Sequence, residues 1–191
     1  MSQDQPALWR ELIRALALGH PVPVDELVTR LDLTQDDVIR SLRSCGDIEY
    51  DDDGSIVGAG LTLVPTAHQF IIDGRTLYTW CALDTLVYAI LLNARVQVLS
   101  RCPLTDLEIS LRVGPEEAIS LEHPPPLLAI APLGTECCET GSVRAEFCDH
   151  THFVASEPAA RQWLGRHPGG TVLDLEAGHR LAREMAMLRT G

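Results

Sequence analysis

The stretch Asp47-Ile48-Glu49-Tyr50-Asp51-Asp52-Asp53-Gly54-Ser55-Ile56-Val57 reads as two short strands around an acidic turn that ends in glycine, which is hairpin chemistry. What precedes it is helical. Leu8, Leu12, Ile13 and Leu16 recur at helical spacing within residues 8–18, and Gly19-His20-Pro21 ends that helix. Val24 to Leu31 makes a second, short helix. Thr34-Gln35-Asp36-Asp37 has the form of a capped start, with Thr34 as N-cap, leading into the apolar Val38, Ile39 and Leu42. Three helices followed by a hairpin form the winged-helix pattern, and duplex DNA is the partner such a pattern first suggests. The charges oppose it. Asp36 and Asp37 open the helix that would enter the groove, and Asp51 to Asp53 tip the wing, so phosphates would be repelled where they should be held. We expect residues 1–58 to be a module without DNA-binding duty.

Beyond Gly58-Ala59-Gly60 the texture changes. Residues 61–64 and 68–72 read as strands, and Asp73-Gly74 turns the second into Leu77-Tyr78. Residues 80–91 form a strongly apolar helix. Short strands follow at 96–99, 107–113 and 127–131, then a Gly- and Glu-bearing loop, then a further extended segment over 147–155. Pro158 to Gly165 predicts a helix with Trp163 inward, and Ala177 to Leu188 a closing helix. The order implies an α+β fold, with residues 59–191 as a second, mixed unit.

The chain has 191 residues and a formal charge of −12, with a pI near 4.9. That balance disfavours nucleic acid and anionic membranes as partners. No apolar run approaches the roughly 18 residues of a membrane span, and Met1-Ser2-Gln3-Asp4 opens nothing like a signal peptide, so a cytoplasmic setting is expected. Of the six cysteines, Cys45, Cys81, Cys102, Cys137, Cys138 and Cys148, none falls in the paired spacing of a structural zinc site; thiols or soft-metal ligands fit better than a disulfide framework.

Chemistry concentrates in two places. In Thr79-Trp80-Cys81-Ala82-Leu83-Asp84-Thr85-Leu86 a thiol and a carboxylate stand three positions apart, so on a helix they share a face. Cys81 at the helix start would have its thiolate favoured by free N–H groups; alternatively it is a small buried hydrophobe. Asp84 between Leu83 and Leu86 is either an acid whose pKa burial raises or a residue that bonds the neighbouring backbone. Cys148, in Phe147-Cys148-Asp149-His150-Thr151-His152-Phe153, would as a strand share one face with His150 and His152, a weak zinc or copper pattern. Cys45 reads as core, Cys102 as a packing residue, and the vicinal Cys137-Cys138 as solvated thiols or a soft-metal capture site.

Gly60-Leu61, Pro65-Thr66, Asp73-Gly74-Arg75, Leu77-Tyr78 and Trp80 to Leu86, together with Phe147-Cys148, His150, His152-Phe153 and Ala155-Ser156, resemble the organomercurial (alkylmercury) lyase family. The likeness runs from about Gly58 to Trp163. It implies an N-terminal winged-helix-like module without DNA-binding duty, then a mixed α/β catalytic domain. It also implies Cys81 and Cys148 as the cysteines that bind mercury, and Asp84 as the catalytic aspartate with a weak metal contact of its own. Cys102 matches a family cysteine assigned to structure. Asp149 stands where some members carry another cysteine, and Cys137-Cys138 have no counterpart. The implied reaction is protonolysis of a carbon–mercury bond without an organic cofactor, with an organomercurial as substrate. Low-molecular-weight thiols and a mercuric reductase are the implied partners for the mercuric product. The alternative is a non-catalytic or repurposed scaffold that carries copper, zinc or mercury.

Overall fold

The structure, a computed structural model, describes residues 5–44, 47–132 and 142–188; the expectations for Cys45 and for Cys137-Cys138 lie outside the described residues. α1 (Gln5–Leu16) buries Leu8, Leu12, Ile13 and Leu16, the apolar stripe visible in the sequence. α2 (Val24–Leu31) stops at Asp32, which takes a left-handed conformation with φ 53°. α3 (Gln35–Ser44) is capped by Thr34, whose hydroxyl accepts from the Asp37 N–H at 3.2 Å and donates to the Asp37 carboxylate at 2.6 Å.

The hairpin forms as β1 (Glu49–Tyr50) against β2 (Ile56–Ala59). Asp51 closes it, its carboxylate accepting from the N–H groups of Asp53 and Ser55. The hairpin does not stand apart as a wing. β2 continues through Gly60 into β3 (Leu61–Thr62), which pairs with β5 (Arg75–Thr79), so the expected boundary between residues 58 and 59 falls inside a strand of a larger sheet. With β4 (His68–Ile72), β6 (Val96–Arg101), β7 (Glu108–Val113) and β8 (Ala118–Ser120) the sheet has eight antiparallel strands in the order β1-β2-β3-β5-β4-β6-β7-β8. Asp73 (φ 47°) and Gly74 (φ 76°) make the tight β4–β5 turn, two left-handed residues as a primed turn requires. β6 and β7 alternate strictly: Val96, Val98, Ile109, Leu111 and Val113 are buried, while Gln97, Arg101, Glu108 and Arg112 face out.

Across the buried face lies α4 (Ala82–Leu91), whose residues from Ala82 through Ala89 are all buried. It is enclosed because a second sheet covers its other side. That sheet comprises β9 (Leu127–Ile130) flanked by β10 (His152–Val154) and β11 (Thr171–Leu173). α5 (Val143–Glu146) leads into a 3₁₀ turn at Cys148–His150; α6 (Glu157–Arg166) starts at the Ser156 cap and buries Trp163; α7 (Leu175–Leu188) packs along α4. Gly178 permits the close approach of α7 to β9, since a Cβ there would lie 2.9 Å from the Leu128 side chain.

The fold class is as expected: an α+β chain with a winged-helix-like N-terminal part followed by a mixed α/β part. Two strands, β8 and β11, carry no alternation long enough to show in the sequence. The extended segment expected over 147–155 is a strand only from His152. Before that the chain coils, with the N–H of Thr151 bonded to Cys148 O and that of His150 to Phe147 O, so Cys148, His150 and His152 do not share a strand face.

Candidate active site

Cys81 is the N-cap of α4. Its backbone is extended (φ −140°, ψ 169°) and its sulfur accepts from the Asp84 N–H at 3.4 Å, the place a serine or threonine oxygen often takes. The Thr79 hydroxyl fixes the preceding turn by donating to Cys81 O at 2.9 Å, and Thr85 donates to Ala82 O at 2.6 Å. Asp84, in the first turn, lies on the same side as Cys81. Cys148 arrives from the 3₁₀ turn and points its thiol at Asp84 Oδ2, 4.0 Å away. The two segments are joined directly by a hydrogen bond from the Ala82 N–H to Thr151 O.

The result is a compact group. The sulfurs of Cys81 and Cys148 and a carboxylate oxygen of Asp84 all lie within 4.8 Å of one another, and the three residues are 1%, 6% and 7% exposed. Among the described residues it is the one cluster of three or more Cys, His, Asp or Glu side chains whose ligand atoms converge. Burial decides the protonation of Cys81. It pushes the thiol well above the ordinary value, the hydrogen bond with Cys148 and the electrostatic influence of Asp84 and Cys148 add to this, and the Asp84 N–H pulls only weakly the other way. The expectation that the helix start would favour a Cys81 thiolate is therefore corrected: in this enclosure one N–H does not offset desolvation and two acidic neighbours. Two buried thiols that converge on a carboxylate can together take a soft metal while the carboxylate handles a proton.

The histidines near Cys148 go elsewhere. His150 is exposed and leans on the His167 ring, 5.4 Å between centroids, while His152 contacts Asp149 O through Nε2 and stacks on His68 at 5.7 Å. His68 is buried with Nδ1 at 2.6 Å from the Ser100 hydroxyl, and burial, aided by His152, lowers its pKa to about 3. The Cys148-His150-His152 metal pattern is thus not assembled, and with it goes the imidazole half of a copper or zinc carrier. Cys102 is buried as expected. Burial pushes its thiol up, but bonds from the Thr105 side chain and from the backbone at Ala155, Leu104 and Thr105 outweigh this and hold it below the ordinary value.

Three residues beside the site escaped the sequence reading as members of one cluster. Arg144 on α5 lies over the Trp80 ring, 5.0 Å from its centroid, and pairs with Glu49 of β1. Glu49 also accepts from Trp80 Nε1 at 3.0 Å and from the Thr62 hydroxyl at 2.5 Å. Burial opposes its charge, but the bonds from Thr62, Trp80 and Arg144, with the charge of Arg144, hold its carboxyl below the usual range. Glu49 and Arg144 are 95 positions apart and no local pattern connects them.

Comparison with known proteins bears on the chain as a whole. The family model described as alkylmercury lyase matches residues 61–187, and the model described as the helix-turn-helix domain of alkylmercury lyase matches residues 2–60. An alkylmercury lyase of Streptomyces lividans is 39% identical over 184 residues, covering 96% of this chain and 84% of the relative. The alkylmercury lyase of Staphylococcus epidermidis is 39% identical over 178 residues (93% and 81%), and that of Pseudomonas putida 37% over 187 residues (96% and 86%). Among solved structures, the crystal structure of the mercury-bound form of MerB2 superposes with a TM-score of 0.81 over 99% of this chain and 93% of the other; at 24% identity, this likeness bears on the fold.

Proposed function

We propose that this chain, which belongs to the alkylmercury lyase family and is an enzyme that cleaves carbon–mercury bonds by protonolysis, does so with Cys81, Asp84 and Cys148 acting on one mercury atom. The observation that carries the assignment of residues is the approach of two thiols and one carboxylate to within 4.8 Å in a buried place.

Protons balance around this trio. An organomercurial arrives as R–Hg–X, with X a thiolate or other soft ligand. One cysteine displaces X, and its proton leaves with X as HX. The second cysteine then binds the same mercury and passes its proton to Asp84, toward which Cys148 already points. Two thiolates on mercury push electron density onto carbon, and Asp84 returns the proton there. The carbon–mercury bond breaks with its electron pair going to carbon, giving R–H and a mercuric ion held by Cys81 and Cys148. Asp84 serves as base and then as acid, with its own weak contact to the metal on the way. The raised pKa of Cys81 fits this order, because the proton it keeps until mercury arrives is the one that leaves with X.

Protein side chains supply every ligand and proton in this scheme, so no organic cofactor enters it. The product leaves by exchange onto low-molecular-weight thiols or to a mercuric reductase, since two thiolates release mercury slowly by dissociation. Free thiols in that role suit a cytoplasmic setting, and no helix among the described residues is long and apolar enough to cross a membrane. The module of residues 1–58 serves residues 59–191 rather than nucleic acid. The experiment is incubation with an aryl mercurial and excess thiol while the protonated arene is measured. The native chain releases arene catalytically; Cys81→Ser and Cys148→Ser do not. Turnover by either serine variant at the native rate would overturn the assignment.

A further inference from the structure

We propose that Asp47 and Glu49, the carboxylates at the start of the N-terminal hairpin, are positioning residues for the reaction: they clasp the segment that carries Cys148 onto the segment that carries Cys81. The proposal rests on the assignment of those two cysteines to the site.

Two thiolates can share one mercury atom only while their sulfurs stay together, and these come from segments 67 positions apart in the chain, Cys81 on α4 and Cys148 beyond α5. The hydrogen bond between Ala82 and Thr151 is one fastening. The hairpin supplies the others. Asp47 Oδ2 accepts from the Arg144 N–H at 2.7 Å and from the Ser142 hydroxyl at 3.4 Å, so it holds the beginning of the short helix that leads to Cys148. Glu49 joins both sides at once. One carboxylate oxygen takes the Arg144 guanidinium, and the other takes the indole N–H of Trp80, the residue before Cys81. Arg144 closes the loop by lying over the Trp80 ring and reaching Asp149, the residue after Cys148, at 3.8 Å. These are charge-assisted bonds in a half-buried place, the kind that hold geometry best.

An independent feature points the same way. Gly58 is the cross-strand partner of Glu49, and a Cβ at that position would overlap the Glu49 carboxylate and crowd Thr62. Its backbone is not left-handed, so the glycine is there for space. The hairpin is shaped to seat this carboxylate. Two acidic residues of the hairpin, Asp47 and Glu49, thus face inward to the part that carries the cysteines.

The test compares Glu49→Gln, Arg144→Met and the double variant. Glutamine keeps an acceptor for Trp80 and Thr62 but loses the charge for Arg144; methionine keeps packing on Trp80 but loses the cation. Single-turnover release of arene at saturating mercurial should fall roughly tenfold to a hundredfold in each single variant, as a misplacement of about 1 Å can cause. The double variant should be no slower than the slower single one, and Arg144→Lys should recover part of the rate. Mercuric ion titrated against the sulfur–mercury ultraviolet absorbance should bind in the same number as to the native chain, more weakly. Native single-turnover rates in Glu49→Gln and Arg144→Met, or losses that multiply in the double variant, would overturn the clasp. Asp47→Ala gives the same reading from the α5 side if Glu49→Gln does not fold. Cys148→Ser run in parallel separates the two claims: if it is inactive while the Glu49 and Arg144 variants are native, the clasp alone fails, and if it is active the site assignment fails.

Discussion

Gly60→Ala tests how the N-terminal hairpin is joined to the catalytic helix. Gly60 sits between β2 and β3 at φ 88°, and a Cβ there would overlap the Tyr88 hydroxyl and lie 2.9 Å from the ring carbon that bears it. That hydroxyl donates to Ala59 O at 3.0 Å, so α4 is pinned to this turn. Two costs add. A left-handed alanine costs about 1–2 kcal/mol relative to glycine. Displacing a buried hydroxyl from its acceptor costs about 1–3 kcal/mol more. A middle sum of about 3.5 kcal/mol corresponds to a fall in Tm of about 7–14 °C for a chain of this size. The assay is thermal unfolding followed by circular dichroism, with Tyr88→Phe and the double variant alongside. Phenylalanine removes the overlapping oxygen, so the double variant should lose less than the two single losses combined. A Gly60→Ala protein within about 2 °C of the native Tm would refute the argument, as would strict additivity.

Much of the fold could be read because local patterns dominate it. The apolar stripe of α1, the Thr34 cap, the Asp73-Gly74 turn and the alternation of β6 and β7 each depend on residues close in sequence. Cys81 and Asp84 were legible as a pair for the same reason, as spacing on one helix fixes them. Cys148 is legible as a candidate second thiol, but nothing local says that a 3₁₀ turn will bring it to Asp84. Hairpin signals also did not show that β2 runs on into the large sheet, because that pairing is made by β3 with β5, some sixteen to eighteen residues along. The protonation of Cys81 was misread for a related cause. A helix start is visible in sequence, whereas the burial and the second thiol that overrule it are tertiary. Glu49 and Arg144 mark the limit: each is an ordinary charged residue until the fold sets them together.

Two further outcomes follow from the geometry. His68 has its pKa lowered to about 3, below the ordinary value near 6.5, so the unfolded chain takes up a proton that the folded chain refuses as the pH falls below about 6.5; stability is lost there, by about 1.4 kcal/mol at about pH 5.5, and His68→Gln should remove that part of the drop in Tm between neutral and mildly acidic buffer. An unchanged acid sensitivity in His68→Gln would contradict this. Fluorescence anisotropy with labelled duplex DNA at about physiological salt should show no binding, since Asp36, Asp37 and Asp51 to Asp53 stand where phosphates would lie; a signal that falls steeply with added salt would show the opposite.

Asp84→Asn tests the central claim most directly. Asparagine keeps the shape and the backbone N–H that bonds Cys81, and leaves both thiols in place, but it cannot cycle a proton. The measurement is one mixing experiment with an aryl mercurial, read for capture of the mercurial by the protein and for release of arene. Capture to the same extent as by the native chain, with arene release slowed by about 10²–10⁴-fold, is the expected result. Arene released at the native rate would contradict the account.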